Sequence, residues 1–162
     1  MIRESTGNLL MAPAQALVNA VNTVGVMGKG LALQFKKAYP AMFREYQAAA
    51  KAGELTPGRV QVWASDRLEG PRYVVNFPTK RDWRTPSKLE YVDTGLDDLA
   101  RVIVELGITT IALPALGCGN GGLDWQVVRE LIVKKLEGLD VEVLLFAPAD
   151  APGADGKQPR NG

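Results

Sequence analysis

A cationic segment with a lysine near its centre is a candidate for covalent or acid–base chemistry. Residues 76–88, the lysine segment, contain Lys80, three further cations, one acid and a tryptophan. A strand is predicted at 73–77, so Lys80 should follow it by three residues, at the sheet edge where a ligand crevice opens. A partly desolvated lysine at that place could act as a nucleophile or a base.

The other side chains of the lysine segment are suited to a nucleic acid. Arg81, Arg84 and Lys88 can contact phosphates, and Trp83 can stack on an unpaired base, a combination that single-stranded nucleic acid favours. The alternative is a solvated loop in which Trp83 covers the core. The formal net charge of +1 does not by itself indicate such a partner, although a local patch can serve one.

Two glycine-rich loops, each between a predicted strand and a predicted helix, are suited to an anion. Residues 22–30 form the first glycine loop and residues 114–122 the second. Glycines let the backbone approach a ligand closely, and the helix that follows offers unpaired N–H groups. The first loop does not match the P-loop pattern. The second matches G-x-G-x-x-G, but the acidic residue that follows this motif in dinucleotide-binding folds is missing, so such a fold is not indicated. Facing each other across one crevice, the loops could hold a diphosphate; the alternative for the first is a tight turn.

Composition excludes several classes of site. The sequence has no histidine, which removes histidine bases and histidine-ligated metals, and its single cysteine, Cys118, excludes an internal disulfide and a cysteine-cluster zinc site. Without a histidine to activate it, Cys118 is interpreted as a small buried thiol. The N-terminus lacks the apolar region of a secretory signal, and no apolar run is long enough to span a membrane. We expect a cytoplasmic protein without membrane contact.

The elements that must position these residues alternate between strands and helices. Strands are predicted at 16–21, 59–63, 73–77, 109–113 and 141–146. Helices are predicted at 30–39 and 41–52. A third helix is predicted after a capping box formed by Ser87 and Glu90, with Leu96, Leu99, Ile103 and Leu106 on one face. A fourth is predicted after Asp124, its N-cap. This order predicts a three-layer α/β domain with a mostly parallel, mixed central sheet. Residues 1–149 are assigned to it. Residues 150–162 lack bulky apolar side chains and are expected to form a disordered tail or the start of a linker.

Together these residues resemble the macrodomain family of ADP-ribose-binding modules, in order and spacing, from residue 1 to about 148. Residues 6–10 resemble the motif that holds adenine, with Asn8 in place of the usual aspartate. Residues 17–22 with the first glycine loop resemble the distal-ribose motif, and residues 113–119 the diphosphate loop. The resemblance implies an ADP-ribose site made of Asn8, Leu9, Asn22, Gly28, Lys29, Gly30, Thr79, Leu116, Gly117, Cys118, Gly119, Asn120, Gly121, Gly122 and Phe146.

The lysine segment and residues 117–125 resemble a lysine-dependent branch of that family, closest to antitoxins that remove ADP-ribose from thymidine in DNA. The resemblance implies that Lys80 is catalytic and that Arg81, Trp83 and Arg84 contact ADP-ribosylated single-stranded DNA. It also implies a cognate ADP-ribosyltransferase toxin as partner, bound through a C-terminal region beyond this sequence. A related enzyme of the branch pairs its lysine with an aspartate, and Gly121 stands at that position here.

Three questions of mechanism and function stay open at this level. Lys80 could attack the distal ribose carbon C1″, donate a hydrogen bond or proton to the departing base, or only bind a phosphate. The protein could instead be a non-catalytic ADP-ribose reader, or a hydrolase of ADP-ribosyl esters on protein Asp and Glu side chains. We expect no metal or other cofactor, and a monomer.

Overall fold

The computed structural model describes residues 1–148, which form one six-stranded sheet and four α-helices. The strands are β1 (Ile2–Ser5), β2 (Ala16–Asn22), β3 (Gln61–Ala64), β4 (Tyr73–Lys80), β5 (Thr110–Leu113) and β6 (Glu142–Phe146). The helices are α1 (Gly30–Ala38), α2 (Pro40–Lys51), α3 (Leu89–Leu106) and α4 (Trp125–Leu136). The sheet order is β1-β6-β5-β2-β4-β3, and every neighbouring pair is parallel except β3 with β4.

Apolar side chains on both faces of the sheet create two cores. Successive residues of a strand point to opposite faces, so a strand buried on both sides is apolar throughout. Val18 packs on the face covered by α3 and α4, whereas its neighbour Leu17 packs on the face covered by α1 and α2. The predicted three-layer α/β fold with a mostly parallel mixed sheet is therefore confirmed.

The direction of the chain connections reverses between β5 and β2. From β2 the chain leads through α1 and α2 to the β3 edge, whereas from β5 it leads through α4 to β6 on the other side. In open α/β sheets, ligands bind beyond the carboxyl ends of the strands at such a reversal. The two glycine loops follow β2 and β5 directly, so the topology brings them to opposite walls of one crevice.

The predicted strand at 73–77 is longer than expected. It continues through Pro78 and Thr79 to Lys80, so the prediction that Lys80 lies three residues beyond the strand is wrong. The predicted strand stopped before Pro78 because proline has no backbone N–H to donate to a neighbouring strand. Beyond Asn76, however, β4 pairs only with β2, and its other edge is open. The register with β2 shifts at this end, so that Asn22 pairs with Lys80.

The start of α3 differs from the predicted capping box. The N-cap residue is Lys88, and no side chain caps the helix. Ser87 instead turns toward the second glycine loop, where its backbone N–H donates to the Gly121 carbonyl at 3.0 Å. The prediction that Leu106 lies on the buried face is also wrong, because this last helical residue is 40% exposed while Leu96, Leu99 and Ile103 are buried.

The other helix boundaries agree with the predictions to within two residues. Pro40 begins α2, where its missing N–H costs no hydrogen bond, and Gly107 ends α3 in a left-handed conformation. Asp124 caps α4, as predicted, by accepting from the Gln126 N–H. The predicted tail lies outside the described residues. Within residues 1–148, no helix is long and apolar enough to cross a membrane.

The packing of α3 on the sheet leads to a test of the fold. A Cβ on Gly95 would overlap the ring of Phe77, which is fully buried beneath the helix. We expect Gly95→Ala to destabilise the protein by about 1–2 kcal/mol, since overpacking outweighs the roughly 1 kcal/mol that alanine adds in helix propensity. A Cβ on Gly138 would have no neighbour within 4 Å, so Gly138→Ala should change stability by less than about 0.5 kcal/mol. Urea unfolding measures both, and an unchanged midpoint for Gly95→Ala would contradict this packing.

Candidate functional site

A groove runs along the carboxyl edge of the sheet and consists of two adjacent cavities. The inner cavity, of about 490 Å³, lies between the two glycine loops and the end of β4. The outer cavity, of about 890 Å³, lies between the second glycine loop and the segments that follow β1 and β6. Both are lined by Leu31, Pro114, Ala115, Cys118 and Asn120, so the two cavities lie next to each other. Each has a volume typical of ligand pockets, about 300–1,000 Å³.

The groove brings together most of the predicted site residues. The predicted residues that line the inner cavity are Asn22, Gly28, Lys29, Gly30, Thr79, Lys80, Trp83, Gly117, Cys118, Asn120 and Gly121. Those that line the outer cavity are Asn8, Leu9, Cys118, Gly119, Asn120 and Phe146. Four predicted residues, Leu116, Gly122, Arg81 and Arg84, line neither cavity. Leu116 is fully buried in the core, so its side chain supports the loop from below.

Asn22 shapes the first glycine loop with its side chain. Its Oδ1 accepts from the Val24 and Val26 N–H groups at 3.2 and 3.3 Å, and its Nδ2 donates to the Val26 carbonyl at 2.8 Å. The loop turns through Gly25, whose φ of 89° favours glycine. Asn22 lines the inner cavity, but its amide is occupied in building the loop.

A buried tyrosine fixes Asn22 from beneath. The Tyr46 hydroxyl donates to the Asn22 carbonyl or to its Oδ1, at 2.7 and 2.9 Å. Burial of Tyr46 raises the pKa of its hydroxyl, because apolar surroundings disfavour the phenolate. The hydroxyl therefore stays protonated and a donor through the physiological range.

Some backbone N–H groups of the second glycine loop form hydrogen bonds within the loop, and others lie at the groove. The Cys118, Gly121 and Gly122 N–H groups donate to carbonyls of the same loop. The Gly117, Gly119 and Asn120 N–H groups have no acceptor among the described residues. Gly117 lines the inner cavity, Gly119 the outer and Asn120 both, so these amides flank the junction between the cavities. Unpaired N–H groups on a glycine loop ahead of a helix suit an anion.

Left-handed backbone conformations produce this division. Gly117, Gly119 and Gly122 have φ of 75°, 67° and 82°, values that favour glycine. Cys118, between the first two, is partly buried, and its Sγ donates to the Leu116 carbonyl at 3.7 Å. The short 3₁₀ turn Gly119–Gly121 was not predicted, because glycines indicate a turn without specifying its type.

Lys80 reaches into the junction from the end of β4. Its Nζ donates to the Asn120 carbonyl at 3.3 Å, so the lysine touches the second glycine loop. The side chain is partly buried. The pairing of Lys80 with Asn22 places the first glycine loop on its other side. The ammonium group therefore lies at the second glycine loop, in the cavity that the first glycine loop also lines.

Backbone hydrogen bonds join the rest of the lysine segment to the groove. The Thr23 N–H and hydroxyl both donate to the Arg81 carbonyl, at 3.1 and 2.7 Å. Arg84 forms a bidentate ion pair with Asp82, and the Arg84 guanidinium beside Asp82 lowers the pKa of that carboxyl to about 2. Trp83 is 51% exposed and lines the inner cavity, so the alternative in which it covers the core is wrong.

The outer cavity offers an apolar wall and a turn. Asn8 caps the 3₁₀ turn Leu9–Met11, since its Oδ1 accepts from the Leu10 N–H at 3.0 Å. The Leu9 side chain is buried in the core, so only its backbone is available to a ligand. Phe146 ends β6, is 9% exposed and lines the cavity.

Sequence reasoning missed several wall residues. Val26 and Leu31 line the inner cavity because the first glycine loop and the start of α1 turn apolar side chains toward it. Ser87 also lines it, but its spacing from Glu90 suggested a helix cap instead. Only the structure shows that Gly121, which is not left-handed, makes room for Ser87. Within residues 1–148, no cluster of three or more His, Cys, Asp or Glu side chains could hold a metal ion.

Comparison with known proteins places this groove in context. A family model described as Macro domain matches residues 18–132. The DNA ADP-ribosyl glycohydrolase of Mycobacterium tuberculosis is 53% identical over 150 residues, which are 92% of this chain and 43% of that protein. A Thermosipho africanus relative, a DNA ADP-ribosyl transferase–DNA ADP-ribosyl glycohydrolase fusion protein, is 33% identical over 159 residues, 89% of this chain and 41% of its own. The chain thus spans less than half the length of these relatives.

Solved structures of two such relatives superpose on this chain. The macrodomain of M. tuberculosis DarG superposes with a TM-score of 0.89 at 53% identity, covering 91% of this chain and 97% of that one. T. africanus DarTG in complex with ADP-ribose superposes with a TM-score of 0.87 at 32% identity, covering 93% of this chain and 42% of that one.

The hydrogen bonds of Asn22 lead to a test of the first glycine loop. Asn22→Ala removes the acceptor of two amides and the donor to one carbonyl, so we expect a loss of about 1–3 kcal/mol in local stability. Hydrogen exchange at the Val24 and Val26 amides should accelerate by the corresponding factor. Tyr46→Phe, which leaves both amide contacts intact, should accelerate exchange less. Unchanged exchange at both amides in Asn22→Ala would show that the side chain does not hold the loop.

Proposed function

This chain belongs to the macro domain family, and on that premise we propose that it is a DNA ADP-ribosyl glycohydrolase that removes ADP-ribose from thymidine in single-stranded DNA. The single observation that carries the proposal is the position of Lys80, whose Nζ contacts the second glycine loop in a cavity that the first glycine loop also lines. The name of the M. tuberculosis relative, at 53% identity, supports the same activity.

In this proposal ADP-ribose occupies both cavities of the groove. We place the adenosine in the outer cavity, between the Leu9 backbone and Phe146. The diphosphate lies at the junction, on the Gly117, Gly119 and Asn120 amides, which donate to no group among residues 1–148. The distal ribose occupies the inner cavity beside the first glycine loop, with C1″ toward Lys80. The T. africanus structure in complex with ADP-ribose supports this class of ligand.

The reaction breaks the bond between C1″ and a ring nitrogen of thymine. Water supplies a hydroxyl to C1″ and a proton to the departing nitrogen, so the products are ADP-ribose and unmodified thymidine. Positive charge develops at C1″ as the bond breaks, and negative charge develops on the base. A charged Lys80 stabilises the leaving base by donating a hydrogen bond or proton. A neutral Lys80 instead attacks C1″ to form a transient adduct that water then hydrolyses.

The mouth of the inner cavity suits a nucleobase. Val26 and Trp83 both line the inner cavity and are both exposed, so an unpaired base on C1″ can lie against an apolar surface. Arg84 is already paired with Asp82, which leaves Arg81 and Lys88 as the better phosphate contacts of the lysine segment. These two cations lie over the ring of Tyr91, at 5.7 Å each, and form no ion pair within the described residues.

The partner and location follow from the proposed substrate. We propose a DNA ADP-ribosyltransferase toxin as the cognate partner, with this protein as its antitoxin. The T. africanus relative, which joins a transferase and a glycohydrolase in one chain, supports that pairing. Because the substrate is DNA, the proposed location is the cytoplasm. One copy of the chain carries every wall of the groove, so a monomer is sufficient.

The activity depends on Lys80, which leads to the principal functional test. Lys80→Ala should lower single-turnover cleavage of an ADP-ribosylated thymidine oligonucleotide by about 100-fold or more, while ADP-ribose affinity changes little. Lys51→Ala, at the exposed end of α2, is the matched control and should cleave normally. An ADP-ribosylated protein offered in parallel tests the ester alternative. Binding without cleavage by the wild type would favour a reader, and cleavage of the protein alone would favour the ester hydrolase.

The exposed indole leads to a separate test of DNA contact. In a Lys80→Ala background, which keeps the oligonucleotide intact, Trp83→Ala should weaken binding of modified single-stranded oligonucleotide by about 1–3 kcal/mol. The excess affinity over free ADP-ribose should fall with salt. Leu68→Ala removes another exposed apolar side chain away from the groove and should have no effect. Equal binding of oligonucleotide and ADP-ribose at every salt concentration would contradict the DNA-facing role.

A further inference from the structure

Ser87 carries a buried hydroxyl that the mechanism above does not use. The residue is 6% exposed, and its Oγ has no hydrogen-bond partner among the described residues. A buried hydroxyl without a partner destabilises a folded protein, so alanine would serve the packing better. Residues that break a packing rule in this way concentrate at functional sites.

The hydroxyl lies close to Lys80. A Cβ placed on Gly121 would be 2.5 Å from Ser87 Oγ and 3.9 Å from Lys80 Cε, so both side chains converge on the same side of Gly121. Ser87 and Lys80 also line the same inner cavity. The position of Ser87 is fixed by its backbone, whose N–H donates to the Gly121 carbonyl at 3.0 Å.

Lys80 has donors that the described chain does not satisfy. An ammonium group carries three N–H donors, and a neutral amine carries two. The described residues supply one acceptor, the Asn120 carbonyl, at 3.3 Å, which is long for an N–H···O bond. No carboxylate of residues 1–148 forms an ion pair with Lys80. An unused acceptor and unused donors therefore lie on the same side of Gly121.

We propose that Ser87 is a positioning residue for Lys80: its Oγ accepts a hydrogen bond from Nζ and holds the lysine at the distal-ribose end of the inner cavity. The proposal rests on the proposed function for its substrate. Its geometry comes from Ser87, Lys80 and Gly121 alone. Gly121 is required because any side chain there would occupy the space in which the two groups meet. Rotation of the flexible lysine away from the Asn120 carbonyl completes the contact.

Four variants test the proposal through kinetics. Ser87→Ala removes the acceptor, Ser87→Cys keeps the size but accepts weakly, and Ser87→Thr keeps the hydroxyl; Ser65→Ala, outside the groove, is the control. We expect Ser87→Ala and Ser87→Cys to slow single-turnover cleavage about 10- to 100-fold, with ADP-ribose affinity within about twofold of wild type. Ser87→Thr should restore most of the rate. The thermal midpoint of ligand-free Ser87→Ala should not fall, because Ser87 Oγ has no hydrogen-bond partner until Lys80 rotates toward it.

A second readout does not depend on cleavage. The ¹³Cε and ¹⁵Nζ resonances of Lys80, assigned by comparison with Lys80→Arg, are recorded in saturating ADP-ribose. Ser87→Ala should move them and Ser87→Thr should not. Normal cleavage by Ser87→Ala, or unchanged Lys80 resonances in that variant, overturns the positioning role. If the wild type leaves ADP-ribosylated DNA intact, the proposed function fails, and the Lys80 resonances then decide the Ser87 proposal alone.

Discussion

The site depends on the absence of side chains at two positions of the second glycine loop. A Cβ on Gly117 would lie 2.5 Å from Leu123 Cδ1 and 3.2 Å from Ser87 Cβ, and one on Gly121 would lie 2.5 Å from Ser87 Oγ. The loop therefore packs backbone against side chain, more closely than any other residue type allows. This packing directs the Asn120 carbonyl to Lys80 and leaves three amides of the loop for an anion. Larger residues at Gly117 or Gly121 would move the lysine and the anion site together.

Direct contacts connect the two glycine loops with the lysine segment. Thr23 of the first loop donates hydrogen bonds to the Arg81 carbonyl, and the Ser87 N–H donates to the Gly121 carbonyl of the second loop. Within the first loop, Asn22 satisfies the backbone that the turn would otherwise leave unpaired. Because backbone atoms make these links, the walls of the inner cavity keep a fixed spacing. The proposed alignment of a sugar carbon with the Lys80 amine requires such preorganisation.

Much of the architecture could be predicted from the sequence, because alternating apolar runs and glycine loops specify strands, helices and the crevice between them. Lys80 could be placed near that crevice because it comes at the carboxyl end of a predicted strand, although it belongs to the strand itself. The extension of β4 through Pro78 could not, because the open edge of that strand depends on where β3 ends. The position of Ser87 was also unpredictable: its spacing from Glu90 fits a capping box, and only the hydrogen bond to Gly121 turns it inward. The Asp82–Arg84 pair shows the same limit, since composition cannot tell a free cation from a paired one.

ADP-ribose has one proposed orientation in the groove, and a crystal structure of the ADP-ribose complex tests it most directly. We predict diphosphate oxygens about 2.7–3.2 Å from the Gly117, Gly119 and Asn120 amide nitrogens. The adenine should lie beside Phe146 and the distal ribose beside Lys80. A complex with the distal ribose in the outer cavity, or with the diphosphate away from these three amides, would contradict the account.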